Sequence, residues 1–245
     1  MIYEKSIRTI ADAVVADSCL FHLIGEQSAG DMRNLKPTGN PAVKDATFTD
    51  GEAWANKGYM TTGADTTAFA QLPLADSQFT LVNRSLIVYF RIKKATPAGT
   101  EIFIGSTDSG GTPGGFTIDG RNTAQARLTV FANDGTNAGI SLAGVCDGSE
   151  HSVCVFVPYD GSSFRSYVDG VFLNTASAAN VAGKDCAGTG SVRVGSAFGT
   201  NGGKAANIAE LALYNPAKTL SELPQALIAD YLYRNPGMPL EAWHL

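Results

Sequence analysis

Charge is scarce in this sequence, and neither sign dominates. Only 17% of the 245 residues are charged, against about 25% in an average soluble domain. Lys plus Arg number 18 and Asp plus Glu 23, for a formal net charge of −5. Basic residues form no cluster, so the basic patch that a nucleic-acid partner requires is missing. No apolar run approaches the ~20 residues that span a bilayer, so no membrane partner is expected. The opening Met-Ile-Tyr-Glu-Lys-Ser-Ile-Arg-Thr-Ile has no apolar stretch before a small-residue cleavage site. Synthesis in the cytosol without a signal peptide is the expectation. Cysteine occurs at Cys19, Cys146, Cys154 and Cys186 only. The even count permits two disulfides, but in a reducing compartment these residues read as small buried hydrophobes. Their wide spacings hold no CxxC pair and no Cys/His cluster, which argues against a zinc site. Histidine is rarer still, at His22, His151 and His244.

In place of charge the chain carries 27 Gly and a 44% hydrophobic fraction, enough for a sizeable core of many short strands joined by turns. Period-two alternation recurs. Leu86, Val88, Phe90 and Ile92 share one face of Ser85–Ile92. Ile102 and Ile104 share another, as do Phe116 and Ile118. Leu128 and Val130 alternate with Arg127, Thr129 and Phe131, and Val153, Val155 and Val157 form a further set. Val192 and Val194 alternate with Ser191 and Arg193, and Leu211 and Leu213 with Glu210, Ala212 and Tyr214. Turn clusters separate these runs, the pattern of a sandwich or barrel. Asp169-Gly170, between Phe164–Val168 and Val171–Leu173, predicts a two-residue type I′ hairpin. Residues 5–16 place Ile7, Ile10, Ala11 and Val14 at helical spacing, a short N-terminal helix or arm. Residues 25–52 are rich in Gly and Pro and read as loop. Near the end, Thr219-Leu-Ser-Glu222 has capping-box spacing. It predicts a helix from about residue 220 with Leu220, Leu223, Leu227 and Tyr231 on one face, closed by Asn235-Pro-Gly-Met-Pro.

His151-Ser-Val-Cys-Val-Phe-Val, Tyr159-Asp-Gly, Tyr167-Val-Asp-Gly-Val, Val192-Arg-Val-Gly195 and Ile208-Ala-Glu-Leu-Ala-Leu-Tyr214 follow one another in order. Together they resemble the central and final strands of laminin-G/concanavalin-A-like lectin domains, of the kind found in tailed-bacteriophage virion proteins. The resemblance extends over roughly residues 20–232 and implies an all-β, antiparallel jelly-roll β-sandwich. With it go a short N-terminal arm or helix (1–18), one sandwich domain (19–232) that includes a C-terminal helix, and a tail (233–245). It also implies structural roles for His151 and Glu210.

Hydrolases of this fold mount their carboxylates on one strand as E-x-D-x-E, so that alternate residues face the cleft. Here the strands carry isolated acids, Glu101, Asp119 and Glu210, and no such run. There is no G-x-S-x-G nucleophile elbow. Gly110–Gly115 lacks the Lys-Ser/Thr of a phosphate loop. Calcium could use Asp108, Asp134, Asp147, Asp160 or Asp185, but no D-x-D-x-D loop gathers them. No catalytic residue, metal or cofactor is assigned. Trp54, Tyr59, Tyr159, Phe198 and Trp243 are aromatic candidates for a sugar platform; Trp54, in a polar loop, and Tyr59 are the preferred pair. Ile2, Tyr3, Trp243 and Leu245 lie outside the resemblance and are of the anchor type that interfaces favour.

The expectation is a non-enzymatic virion structural protein, a capsid decoration or other particle-surface protein made in the host cytoplasm. Its partners are then other virion proteins of capsid or tail and further copies of itself, a trimer by family analogy, and surface glycans. Two alternatives stay open: a carbohydrate-binding module or adhesin, and a glycoside hydrolase of the same fold.

Overall fold

The computed structural model describes residues 18–24, 33–34, 47–49, 53–55, 59–61, 69–72, 80–105, 114–187, 192–194, 207–217, 219–238 and 240. The expected N-terminal helix or arm lies outside them. In chain order the strands are β1 (Cys19–Ile24), β2 (Arg33–Asn34), β3 (Thr47–Thr49), β4 (Ala53–Ala55), β5 (Tyr59–Thr61), β6 (Phe69–Leu72), β7 (Leu86–Lys93) and β8 (Glu101–Gly105). There follow β9 (Gly115–Arg121), β10 (Gln125–Phe131), β11 (Asn137–Ala143), β12 (Glu150–Val157), β13 (Ser163–Val168), β14 (Val171–Ser177), β15 (Val192–Val194) and β16 (Asn207–Tyr214). One helix, α1 (Glu222–Arg234), closes the described chain.

The strands form two antiparallel sheets, the expected sandwich. The first runs β14-β13-β12-β7-β16-β1-β2, with β5 also on β16 and β4 on β5. The second runs β11-β10-β9-β8-β15-β6-β3. The alternation read from the sequence sets what faces inward. Leu86, Val88, Phe90 and Ile92 of β7, Val153, Val155 and Val157 of β12, and Leu211 and Leu213 of β16 meet Phe116, Ile118, Leu128, Val130 and Ile140 of the second sheet. Each fully buried side chain of this size contributes about 1.5–3 kcal/mol.

Strand β8 departs from the expected alternation. The register slips between Ile102 and Ile104, so Ile104 pairs with Ile118 but Ile102 pairs with Asp119 on the outward row. The extra residue of this bulge is Phe103, which turns into the core. Its ring fills the space beside Gly120, where a Cβ would stand 2.4 Å from Phe103 Cζ.

Helix α1 covers the outer face of the first sheet and makes a third layer. Ile228, Ala229 and Leu232 pack on Ile87, Tyr89, Cys154, Phe156, Tyr167, Ala212 and Tyr214. The helix begins later than the capping box predicts. Ser221 is the N-cap, in extended backbone and without a side-chain cap bond, while Thr219 Oγ1 lies 3.3 Å from Ser85 Oγ. Leu220 therefore packs from the loop. The buried stripe becomes Gln225, Ile228, Ala229 and Leu232, and Leu223 is left 69% exposed.

The helix is pinned through a buried polar node at Glu210. His22 Nε2 donates to Glu210 Oε1 at 2.5 Å, and the Gly237 amide donates to the same oxygen at 3.0 Å. The Tyr214 hydroxyl lies 3.1 Å from His22 Nδ1 and accepts from the Leu240 amide at 3.4 Å. Tyr89 donates to the Leu232 carbonyl at 3.0 Å and stands 3.5 Å from Glu210 Oε2. Burial, reinforced by the Glu210 charge, pushes the Tyr89 hydroxyl far above its usual pKa, so it stays protonated and can donate.

At the other end of β12 the predicted hairpin forms. Asp169 and Gly170 both adopt positive φ, 51° and 76°, as a type I′ turn requires. His151 locks this hairpin to the neighbouring turn: Nδ1 contacts Asp169 Oδ2 at 2.8 Å and Nε2 contacts Asp147 Oδ1 at 3.1 Å. Burial opposes the charge on His151, but its hydrogen bonds to the two aspartates outweigh that and raise its pKa above the usual value.

Two outcomes follow from these contacts. Glu210→Ala leaves the buried His22 and Gly237 N–H groups without their acceptor and costs about 3–5 kcal/mol, whereas Glu210→Gln keeps an acceptor oxygen and costs less. Urea unfolding reads both, and an unchanged midpoint for Glu210→Ala would refute the role given to this node. His151 has a raised folded pKa, so its stabilisation is complete below the unfolded value of about 6.5 and is lost as pH rises through the higher folded value. The gap in urea midpoint between wild type and His151→Asn should therefore narrow from pH 6 towards pH 9. A gap independent of pH would show that His151 acts by packing alone.

Candidate functional site

The residues singled out for assembly, Ile2, Tyr3, Trp243 and Leu245, lie outside the described residues, as do His244, Phe198 and Asp108. Trp54 is in strand β4, paired with Met60, rather than in the polar loop expected, and Tyr59 opens β5 opposite Ala55. The hydrophobic-polar pattern there is too short to reveal a three-residue strand. Tyr159 is half-buried against the main core.

The acidic side chains are mostly engaged in local structure. Asp134 accepts from Thr136 and pairs with Lys184 at 2.8 Å. Asp160 accepts from Ser162, and Asp185 from Asn133 and Ala187. Among the described residues no three carboxylate, Cys or His groups converge as metal ligands. Glu101 pairs with Lys94 at 2.7 Å, and Lys94 Nζ lies 5.8 Å from the Phe103 ring centroid. Glu210 is 1% exposed beneath the helix, out of reach of any polymeric substrate.

The described residues that converge on an unexplained polar surface belong to β9, β10 and β11. Phe116, Ile118, Ala126, Leu128, Val130, Ala138, Ile140 and Leu142 face the core, so the alternate positions face outward. Register arranges these in four cross-strand rows: Gly115, Phe131 and Asn137; Thr117, Thr129 and Gly139; Asp119, Arg127 and Ser141; Arg121, Gln125 and Ala143. Successive rows stand about 7 Å apart, two residues at about 3.4 Å each. Ile102 extends the third row onto β8.

Arg121 forms an ion pair with Asp119: Nη2 donates to Oδ2 at 2.9 Å, and Nε stands 2.8 Å from Oδ1 without hydrogen-bond geometry. Burial raises the Asp119 pKa, opposed by Arg121 and then Arg127. Arg127 is placed differently. It stands directly opposite Asp119 in register, yet it forms no hydrogen bond or close ion pair among the described residues. Its side chain lies across β11, with Nε 2.9 Å from where a Cβ on Gly139 would be. Glycine at 139 is what leaves room for the guanidinium to lie flat. Thr117 and Thr129 form the floor of the face, 7% and 5% exposed. Half-buried Phe131 bounds one end beside Gly115. Asp119 is the one carboxylate on these three strands.

The sequence held part of this signal. Thr117-x-Asp119-x-Arg121 and Gln125-x-Arg127-x-Thr129 are polar alternations within β-runs. What periodicity cannot show is that register sets Arg127 against Asp119 and Thr129 against Thr117.

The sequence profile described as "Concanavalin A-like lectin/glucanases superfamily", of laminin-G type, matches residues 61–223. No curated protein sequence matches this one. Among solved structures, the receptor-binding domain of botulinum neurotoxin C/D mosaic serotype superposes with a TM-score of 0.66 at 10% identity, over 89% of this chain and 51% of that one. The botulinum neurotoxin serotype D ligand-binding domain, solved with N-acetylneuraminic acid, gives 0.64 at 10% identity over 92% and 52%. A Trypanosoma rangeli sialidase, in complex with 2,3-difluoro-KDN, gives 0.61 at 14% identity over 95% and 38%. The chain thus spans about half the length of the toxin domains, and these likenesses bear on the fold. With its matched span covering two thirds of the sequence and both sheets in place, the chain belongs to the laminin-G-type concanavalin A-like lectin/glucanase family.

Proposed function

We propose that this protein is a non-catalytic, glycan-binding β-sandwich carried on the surface of a bacteriophage particle. The observation that carries the binding part is the outward face of β9–β11. There the half-buried guanidinium of Arg127, with no hydrogen bond among the described residues, lies over the buried Thr117 and Thr129 and beside half-buried Phe131, the mix of apolar contact and a few placed polar groups that small-ligand sites use. Structural neighbours solved with N-acetylneuraminic acid and with SialylT support glycans as the ligand class. The absence of catalysis is argued from Asp119. It is the one carboxylate of these strands and is held by Arg121, whereas glycoside hydrolysis usually needs two carboxyl groups flanking the bond.

The particle-surface part is supported by the cysteines. Cys19, Cys146, Cys154 and Cys186 are all buried thiols. Burial, partly offset at Cys146 by Lys94, pushes the Cys146 and Cys186 thiols up to about 12. Such inert thiols fit a fold completed in a reducing cytosol, as virion proteins are. Further copies of the chain and other virion proteins are its expected partners in that setting.

The test of binding is a glycan array with the full chain, followed by titration of each hit. Phe131→Ala should weaken the best hit about tenfold, which is ~1.4 kcal/mol, with the fold unchanged by circular dichroism. If Trp54→Ala abolishes binding and Phe131→Ala does not, the glycan sits at β4 and β5 instead. Turnover of any hit, lost in Asp119→Asn, would overturn the non-catalytic reading. The particle assignment is checked by mass spectrometry of purified virions, and absence of the chain from them refutes it.

A further inference from the structure

We infer that the β9–β11 face selects sugars bearing a carboxylate, and that Arg127 is the residue that reads the acid group. This rests on the glycan-binding reading above and adds the ligand's charge. The argument is one of charge complementarity on a small surface. Two guanidinium groups and one carboxylate occupy the third and fourth rows. Asp119 accepts one hydrogen bond, from Arg121 Nη2, with Arg121 Nε 2.8 Å from its other oxygen, so one carboxylate faces two guanidinium groups and the cluster keeps a net charge of +1. Arg127 is left with its donors unused among the described residues, half-buried on a sheet floor. A partly desolvated guanidinium without an acceptor is unfavourable, and its planar fork matches a carboxylate better than a neutral hydroxyl does.

The surroundings fix where such a ligand would lie. Thr117 and Thr129 stand one row away from Arg127, opposite each other. At 7% and 5% exposed they form a buried floor, and the exposed polar side chain beside Arg127 in its own row is Ser141, placed to bond a ring hydroxyl next to the acid group. Phe131, one row further, offers an apolar edge to a ring face. Asp119 adds a negative charge opposite Arg127, which disfavours a second anion on that side. The carboxylate therefore approaches Arg127 from the Gly139 and Ser141 side, where the sheet surface has no Cβ at 139.

The experiment uses the full chain and matched ligands that differ only in the acid: oligogalacturonate against its carboxyl-reduced form, and sialyllactose against lactose. Affinity is measured by calorimetry at low and at physiological salt. At least one acidic ligand should bind about tenfold or more tightly than its neutral partner, the size expected of a charge-assisted fork, and the preference should shrink with salt. Arg127→Met should remove the preference, weakening the acidic ligand about tenfold more than its neutral partner. Arg127→Lys, which keeps the charge but not the fork, should restore part of it. Equal affinity for both members of every pair, with Arg127→Met acting on both alike, overturns the selectivity and leaves the glycan-binding reading standing. Binding of none of the four ligands, alongside a blank glycan array, overturns both. A preference for acidic sugars that survives in both Arg127 variants places acid recognition elsewhere and refutes the role of this residue.

Discussion

A carboxylate buried beneath a helix needs donors from every side, and Glu210 imposes that requirement on this fold. An unpartnered charge taken out of water costs several kcal/mol even after relaxation. Its donors come from three separated parts of the chain: His22 on β1, Gly237 after α1, and Tyr89 on β7 at longer range. Arg91 adds its charge at 3.9 Å. Meeting the requirement fixes the order of β1, β16 and β7 and brings the helix C-terminus onto the sheet, since Tyr89 also holds the Leu232 carbonyl. The Tyr214–His22 contact then carries the chain end, through Leu240. Apolar packing under the helix supplies the driving force, and the node supplies the geometry.

On the second sheet glycine does the comparable work. Gly120 points inward and makes room for the ring of Phe103, which the β8 bulge turns into the core. Gly139 points outward and makes room for Arg127. The bulge and the two glycines determine which residues reach the outer face: Ile102 joins the Asp119 row because Phe103 does not. A larger residue at 139 would lift the guanidinium off the sheet.

Most of the core was legible from alternation alone, since Leu86–Ile92, Val153–Val157 and Leu211–Leu213 are long enough for period two to be unambiguous. Elsewhere the reading met its limits for physical reasons. Cys19–Ile24 is nearly all apolar and shows no period-two alternation, because both of its faces are buried, Phe21 and Leu23 in the core and His22 in the Glu210 node. The β8 bulge breaks the very periodicity used to find strands. The helix start depends on Thr219 facing Ser85, a tertiary contact that overrides a local capping signal. Of the candidate site, the residue types were visible and their partnership was not: Asp119 read as an isolated acid until register placed it beside Arg121 and Arg127.

A sandwich has two outward faces, and this one treats them differently. The face of the first sheet lies under α1, with Tyr89, Cys154, Tyr167 and Tyr214 sealed against the helix around the Glu210 node. The face of the second carries Arg, Thr, Gln and Asp on the same β-pleat, where a layer packed on it would have to desolvate charge. The molecule as a whole is acidic, at −5, so two adjacent rows in which Arg121 and Arg127 outnumber Asp119 run against the average. At physiological salt the screening length is about 8 Å, roughly one row of the sheet. An incoming group at Arg127 therefore responds chiefly to the two or three nearest charges and little to the distant acids. A negatively charged protein can in this way present a local surface whose charge balance differs from that of the whole molecule.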